Sequence, residues 1–412
     1  LILPKLLASA ASDLRLRDQQ QAEAHEILIR WADLEEQGKL RRMKETTLEG
    51  EFLTDVFSKA LGYTLFSENK AQWNVWPKYS VPDGEADAAI GVFDETTKWP
   101  PLALMELKGP TVNVDRDRFR GRTPVQQCWD YLNVAPECPW GIVCNYVSFR
   151  LFHRNKTPRT FEQFTLQDLR NPNRFAEFYC LFSRSGLLPG VLGEPPRALV
   201  LLQKTDERQR EVGQELYYRY QDQRIALIRH LRRPPYGKSL DAAIHVAQVL
   251  LDRIIFIAFC EDRDLLPPKS IDDAWRNVGA FTLATNPRWD SFRNLFRSID
   301  QGNKRRGVSP FDGGLFRHDE EVDDLELDDS WTDFFREIGT YDFRDEVNVD
   351  VLGHLFEQSI SDLESVRAAP EEILSPRPRV SGKRKRTGVY YTPRAVTRYI
   401  VEHTLGPCLE SR

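Results

Sequence analysis

Residues 84–110, "GEADAAIGVFDETTKWPPLALMELKGP", hold two apolar runs joined by a polar loop, and each run carries charge where a strand would turn it away from its apolar side. In Glu85–Phe93 the alternation sets Ala86, Ala88 and Ile90 on one face and Asp87 on the other. In Leu102–Lys108, Glu106 and Lys108 are two residues apart and point the same way, opposite to Leu107. If the strands pair, two carboxylates and one ammonium converge at a sheet edge. Such a cluster repels itself unless a cation offsets the two negative charges, and the natural candidate is a hard divalent ion with oxygen ligands, Mg²⁺ above all. An ion held there would polarise a phosphate and lower the pKa of a bound water, while Lys108 orients the water or stabilises charge on phosphorus. The expected chemistry is phosphodiester hydrolysis.

Outward from this stretch the pattern is α/β. Upstream, residues 17–43 place Ile27, Leu28, Trp31 and Leu34 at helical spacing and predict one long helix. "TTLEGEFLTDVFSKALGY" predicts a second, with Leu48, Phe52, Val56, Phe57 and Leu61 on one face and Gly62 at its C-cap. Downstream, "TPVQQCWDYLNVA" reads as a helix and "WGIVCNYVSFRLFHR" as a hairpin turning at Asn145-Tyr146. Residues 160–195 read as helical, and "LLPGVLGEPP" marks a domain boundary.

Beyond it, nearly everything to residue 370 has helical periodicity, including the strongly apolar "LDAAIHVAQVLLDRIIFIAFCEDRDLLPP". The acidic "HDEEVDDLELDDS" is expected to be a solvated loop. "APEEILSPRPRVSGKRKRT" (369–387) combines prolines with a basic cluster and reads as a mobile linker. "GVYYTPRAVTRYIVEHTLGPCL" then feeds a strand-like run into a helix, with Thr392 as N-cap and Pro393 in the first turn. The division is therefore 1–195, an α/β domain with a central mixed sheet flanked by helices; 196–370, an all-α connector; 371–387, a linker; and 388–412, the start of a further domain.

With 412 residues, 41% hydrophobic and 29% charged, the chain is expected to be globular and cytoplasmic, with no apolar run approaching the length of a membrane span. Six scattered cysteines lack the close pairs of a zinc site or a disulfide framework. A net charge of -5 leaves any nucleic-acid role to local patches. The chain opens on Leu and closes on "LGPCLESR", and a piece of a longer polypeptide is expected.

The arrangement of Asp87 on the second strand and Glu106-Leu107-Lys108 on the third resembles the PD-(D/E)xK nuclease superfamily. Gln127-Cys-Trp-Asp-Tyr131 fits the QxxxY signature of one branch, one helical turn apart and so on one face. Glu51, on the helix ahead of the strands, matches a further acid of many members. The resemblance implies catalytic Asp87, Glu106, Lys108, Gln127 and Tyr131, and Mg²⁺ on Asp87, Glu106 and the Leu107 backbone carbonyl, with Glu51 as an added ligand. Glu-x-Lys alone is more usually a solvated strand face; the order acid, ExK, QxxxY, hairpin is more specific than any one piece. Pro82-Asp83, a rival for the acidic motif, reads as a turn.

"DRDRFRGRT" places Arg116, Arg118, Arg120 and Arg122 around Phe119, suiting a loop that grips phosphates of double-stranded DNA without reading bases, or a solvated charged loop. "KRR" (304–306) and "KRKR" (383–386) are weaker basic clusters. "GVYYTP" resembles the opening motif of N6-adenine DNA methyltransferases, which implies that Tyr391, Thr392 and Pro393 line an S-adenosylmethionine pocket. Together with "RIIFIAFCEDRDLLPP", "PFDGGLF" and "VDVLGHLFEQSISDLE", the chain resembles type IIG restriction-modification enzymes, which join nuclease, helical connector, methyltransferase and target recognition in one polypeptide. It departs from them in lacking a glycine-containing cofactor loop and an Asn/Asp-Pro-Pro-aromatic tetrad. "RPPY" (233–236) has Arg where an acceptor is required and reads as a helix terminator, so this chain alone is not expected to methylate DNA. The expectation is a Mg²⁺-dependent endonuclease domain with transient dimerisation for double-strand cleavage. The alternatives are a DNA-binding scaffold with a vestigial site, or an end-requiring exonuclease.

Overall fold

The computed structural model describes residues 1–14, 19–68, 70–82, 84–96, 100–279, 282–311, 313–347 and 349–368. Tyr391, Thr392, Pro393, the 371–387 linker and the 383–386 cluster lie outside the described residues. Two compact units divide at Asp206/Glu207.

The first unit is built on a six-stranded mixed sheet in the order β1-β2-β3-β4-β5-β6. The strands are β1 (Trp73–Val81), β2 (Gly84–Phe93), β3 (Ala103–Leu107), β4 (Trp140–Cys144), β5 (Ser148–His153) and β6 (Phe161–Thr165). All neighbours are antiparallel except β3 and β4, the parallel pair that needs a crossover. Helix α4 (Pro124–Val134) supplies it, started by a capping box between Thr123 and Gln126 with Pro124 in the first turn. A Cβ on Gly141 of β4 would lie 2.6 Å from Cys128 Sγ and 3.0 Å from Leu132 Cδ1, so a glycine here lets α4 lie flat on the sheet. That approach carries the outer face of α4 over the ends of β2 and β3.

The opposite face of the sheet packs on α1 (Pro4–Leu14), α2 (Gln19–Glu36), α3 (Glu45–Phe52) with its π-type continuation Leu53–Ala60, and α5 (Pro172–Phe182). Leu48, Phe52, Val56, Phe57 and Leu61 are all buried there, and Gly62 (φ +79°) follows the helix end, its N–H donating to Ser58 O at 3.0 Å. The long amino-terminal helix is shorter than its periodicity predicts: α2 stops at Glu36, and Leu40–Arg42 form a separate single turn.

Residues 161–165, helical by composition, form edge strand β6 instead, paired with β5 from Ser148↔Thr165 to Phe152↔Phe161. Phe164 is fully buried against Phe178 and Phe182, and this cross-layer packing outweighs the helical preference of Glu162 and Gln163. The Asn145-Tyr146 hairpin forms as expected, with Tyr146 at φ +65° between β4 and β5. The "LLPGVLGEPP" loop is exposed at Val191 and Leu192, but the units part later, because Ala198, Leu201 and Leu202 still belong to the first core.

Among its described residues the second unit is built of helices and loops, with no named strand. It holds the larger part of α7 (Arg197–Arg232), with α8 (Leu240–Asp262), α9 (Ser270–Arg276), α10 (Pro287–Gln301), α11 (Glu320–Asp323), α12 (Trp331–Ile338) and α13 (Val349–Ala368) around one core; the four-residue α6 (Arg184–Leu187) lies in the first unit. Contrary to the sequence reading, α8 is long and apolar enough to cross a membrane, but two-thirds of its apolar window (67%) is buried in this unit, as in the core helix of a globular domain. α7 ends at Arg232, before Pro234 and Pro235, as "RPPY" required.

The acidic segment is not a solvated loop. It contributes α11 and buries Val322, Leu325 and Leu327, and Asp323 pairs at 2.7 Å with Arg253, whose side chain is 0% exposed on α8. A cation buried in an apolar helix needs an anion brought to it, and the acidic run supplies one. The five described cysteines are buried and free.

Candidate active site

The β2–β3 ladder runs Ile90↔Ala103, Ala89↔Leu104, Ala88↔Met105, and one further step puts Asp87 across from Glu106. There the backbone pairing stops. Asp87 Oδ2 accepts the Leu107 N–H at 2.8 Å in place of a ladder carbonyl, which fixes its carboxylate at the sheet edge. Lys108 follows, with its own N–H donating to Cys144 O of β4 at 2.9 Å.

The structure brings the three predicted side chains together. Lys108 Nζ donates to Glu106 Oε1 in a short contact and to Leu107 O at 3.0 Å, and lies 3.6 Å from Asp87 Oδ2. Glu106 is 2% and Lys108 9% exposed, so this charge is held away from bulk water. Burial first, and the Asp87 carboxylate second, push the Glu106 carboxyl up to about 7, with Lys108 opposing.

Helix α4 closes one side. Tyr131 donates its hydroxyl proton to Glu85 O at 3.0 Å, and burial followed by the Glu106 charge raises its phenol well above the ordinary value. Gln127 donates to Phe119 O at 3.3 Å. These commitments leave two acceptor oxygens, Glu106 Oε2 and Gln127 Oε1, buried without a hydrogen-bond partner. An unpartnered buried carboxylate oxygen beside a second carboxylate is a place for a cation.

The arginine loop is ordered from both ends. Asn113 caps its start by accepting from the Asp115 and Arg116 N–H groups, Val114 is buried, and Arg150 grips Asp115 through two bonds of 2.7 and 2.8 Å. Its tip is a tight hairpin, Phe119 and Arg122 exchanging backbone bonds of 2.8 and 3.2 Å around Arg120 (φ +52°) and Gly121 (φ +84°), the primed turn that suits strand twist. Arg116, Arg118, Arg120 and Arg122 are exposed, Arg122 pairing with Asp130 at 2.9 Å, and the Phe119 ring lies 5.5 Å from Lys108 Nζ. The 304–306 cluster is in the other unit, a single turn whose Arg306 pairs with Asp273.

Two contributors escaped the sequence reading. Lys78 of β1 donates to Asp87 Oδ1 at 2.7 Å and lies 3.3 Å from Glu49 Oε2 of α3. The helix acid that reaches the cluster is thus Glu49, while Glu51 is exposed. Lys78 was legible in principle: the hairpin pairs Val81↔Gly84 and Tyr79↔Ala86, and the same count puts Lys78 opposite Asp87.

As a donor set for a metal, Asp87, Glu106 Oε2 and Leu107 O are all hard oxygens, which fits Mg²⁺ completing its shell with water. Among the described residues no group of three or more His, Cys, Asp or Glu converges to hold an ion.

No family model and no solved structure matches the chain. A Methanocaldococcus jannaschii protein bearing the name "Putative type II restriction enzyme and methyltransferase" is 24% identical over 207 residues. The match covers 44% of this chain and 16% of that protein.

Proposed function

We propose that the first unit is the nuclease part of a restriction-modification enzyme, a Mg²⁺-dependent endonuclease acting on double-stranded DNA. The observation that carries this reading is the convergence of Asp87, Glu106 and Lys108 at one sheet edge, with Glu106 Oε2 buried and unpartnered. The similarity to the Methanocaldococcus jannaschii protein supports the restriction-modification setting, and the six-stranded mixed sheet is compatible with the nuclease resemblance.

Asp87, Glu106 Oε2 and the Leu107 carbonyl would hold the ion, which supplies Lewis-acid stabilisation of a phosphate and acidifies a water. Lys108, fixed by Leu107 O and Glu106, presents its ammonium to the water or to the phosphate oxygens. Burial and the Asp87 charge hold the Glu106 carboxyl near 7 without a cation, and a bound cation would favour its ionised, ligating form. Gln127 Oε1 is a buried acceptor without a partner, and the exposed arginines of the hairpin offer phosphate contacts along the backbone. S-adenosylmethionine chemistry and the transient pairing of two copies belong to the wider enzyme in this proposal.

The rival reading, a DNA-binding scaffold with a vestigial site, is favoured by one observation: Asp87 is already neutralised by Lys78 and Lys108. Incubation of supercoiled plasmid with the chain in Mg²⁺, beside Lys108→Ala and an EDTA control, separates the two. Nicking or linearisation by wild type with metal alone supports the nuclease. Equal inertness of wild type and variant, repeated in a longer polypeptide, supports the scaffold.

A further inference from the structure

We infer that Lys78 is a displaceable counter-ion of this site, neutralising Asp87 and Glu49 in the metal-free protein and giving up Asp87 when a divalent cation binds. The inference rests on the metal-dependent function proposed above. Lys78 Nζ bridges a strand carboxylate and a helix carboxylate, 2.7 Å from Asp87 Oδ1 and 3.3 Å from Glu49 Oε2. Bridging two carboxylates from separate elements is what a divalent ion with oxygen ligands does. A single positive charge does it less completely, and in the same cluster Glu106 Oε2 remains without a partner.

The two lysines differ in freedom. Lys108 is 9% exposed and tied to Glu106 and to Leu107 O, so it is built into the sheet edge. The Lys78 side chain is 47% exposed on an edge strand, so its ammonium has solvent beside it to move into when it leaves Asp87. Its backbone is also special. Lys78 adopts φ +50° within β1, a left-handed conformation that residues with a Cβ rarely take and that turns it aside from the regular pleat. Opposite Asp87 in the hairpin register, this kink delivers the ammonium to the carboxylate. Once released, the same charge stands beside the site as an added phosphate contact.

The test is calorimetric titration of the full chain with Ca²⁺ at low ionic strength, without DNA, comparing wild type with Lys78→Ala, Lys78→Gln, Lys78→Arg and Asp87→Asn. Removing a competing cation from beside the site should tighten Ca²⁺ binding about tenfold in the alanine and glutamine variants, an advantage that shrinks as salt is added. Lys78→Arg should bind as wild type does, and Asp87→Asn should lose binding. The glutamine variant keeps the proximal part of the lysine stem, so it carries the comparison if the alanine variant folds poorly. Unchanged or weaker Ca²⁺ binding in the neutral variants, with Asp87→Asn still defective, overturns the counter-ion role and leaves the metal site standing. Absence of Ca²⁺ binding in wild type and neutral variants alike at millimolar ion overturns the metal reading itself, and this inference with it.

Discussion

Replacing Glu106 with glutamine tests the site through stability, independently of turnover. Burial and the neighbouring Asp87 charge raise the Glu106 carboxyl from 4.5 to about 7 in the folded protein. The folded state therefore binds this proton more tightly than the unfolded chain does. The associated stability is fully present below the unfolded value of 4.5 and is lost as pH rises through about 7. At about 1.4 kcal/mol per tenfold difference in proton affinity, the whole span amounts to about 3 kcal/mol. Glutamine resembles the protonated form, so Glu106→Gln should match wild type near pH 4.5 and exceed it by about 3 kcal/mol at pH 8. Urea denaturation of both proteins in EDTA, at steps from pH 4.5 to 8, measures this, and taking the difference between them cancels the titrating groups that lie away from the cluster. Mg²⁺ at a hundred times its Kd should then close most of this gap at pH 8, because it stabilises the protein that binds it by about 2.7 kcal/mol. A variant less stable than wild type at pH 8 in EDTA, or a gap constant across pH, would refute the reasoning.

Other perturbations follow from single interactions. Replacing Arg120 and Arg118 with alanine should lower the salt dependence of DNA binding, the slope of log K against log salt falling by about one for each phosphate that these side chains neutralise, as read by fluorescence anisotropy across a salt series. Gly121→Ala has open space around the new Cβ but must hold φ +84°, so it should cost about 1 kcal/mol through the backbone alone and loosen the hairpin, measurable as faster amide exchange at Phe119 and Arg122. Asp323→Ala strands the buried Arg253 guanidinium and should destabilise the helical unit by about 3–5 kcal/mol in thermal or denaturant unfolding, with the active-site cluster unchanged.

Strands β2 to β5, helix α4 and the meeting of Asp87, Glu106 and Lys108 were legible because each rests on local periodicity, above all the alternation of two in β2 and β3. What failed was information carried by partners distant in sequence. Leu48 and Phe52 mark the buried stripe of α3, and Glu49 and Glu51 flank it on opposite sides. Helical spacing cannot tell which side meets the sheet edge, and the structure gives that place to Glu49 through Lys78. Residues 161–165 have helix-tolerant composition, and only the open edge of β5 makes them a strand. The acidic segment reads as a solvated charge run until the buried Arg253, some seventy residues earlier, is known to need Asp323.

The charge balance of the cluster bears on the choice between a working and a vestigial site. Asp87 with two lysines is stable without metal, and taken alone it suits a scaffold. Glu106 does not fit that account. Its carboxylate is 2% exposed, one oxygen is buried without a geometric hydrogen-bond partner, and the Tyr131 hydroxyl, close enough to Glu106 to feel its charge, donates to Glu85 O. At this burial such an arrangement opposes folding at neutral pH by about 3 kcal/mol, out of the 5–15 kcal/mol typical of a domain. A fold that needed only bulk at this position would be more stable with glutamine or leucine in the same volume. The destabilising group is the one that shares Lys108 with Asp87 at the sheet edge and keeps one carboxylate oxygen unpartnered, so the feature that weakens the fold is also one a metal-dependent hydrolytic site requires.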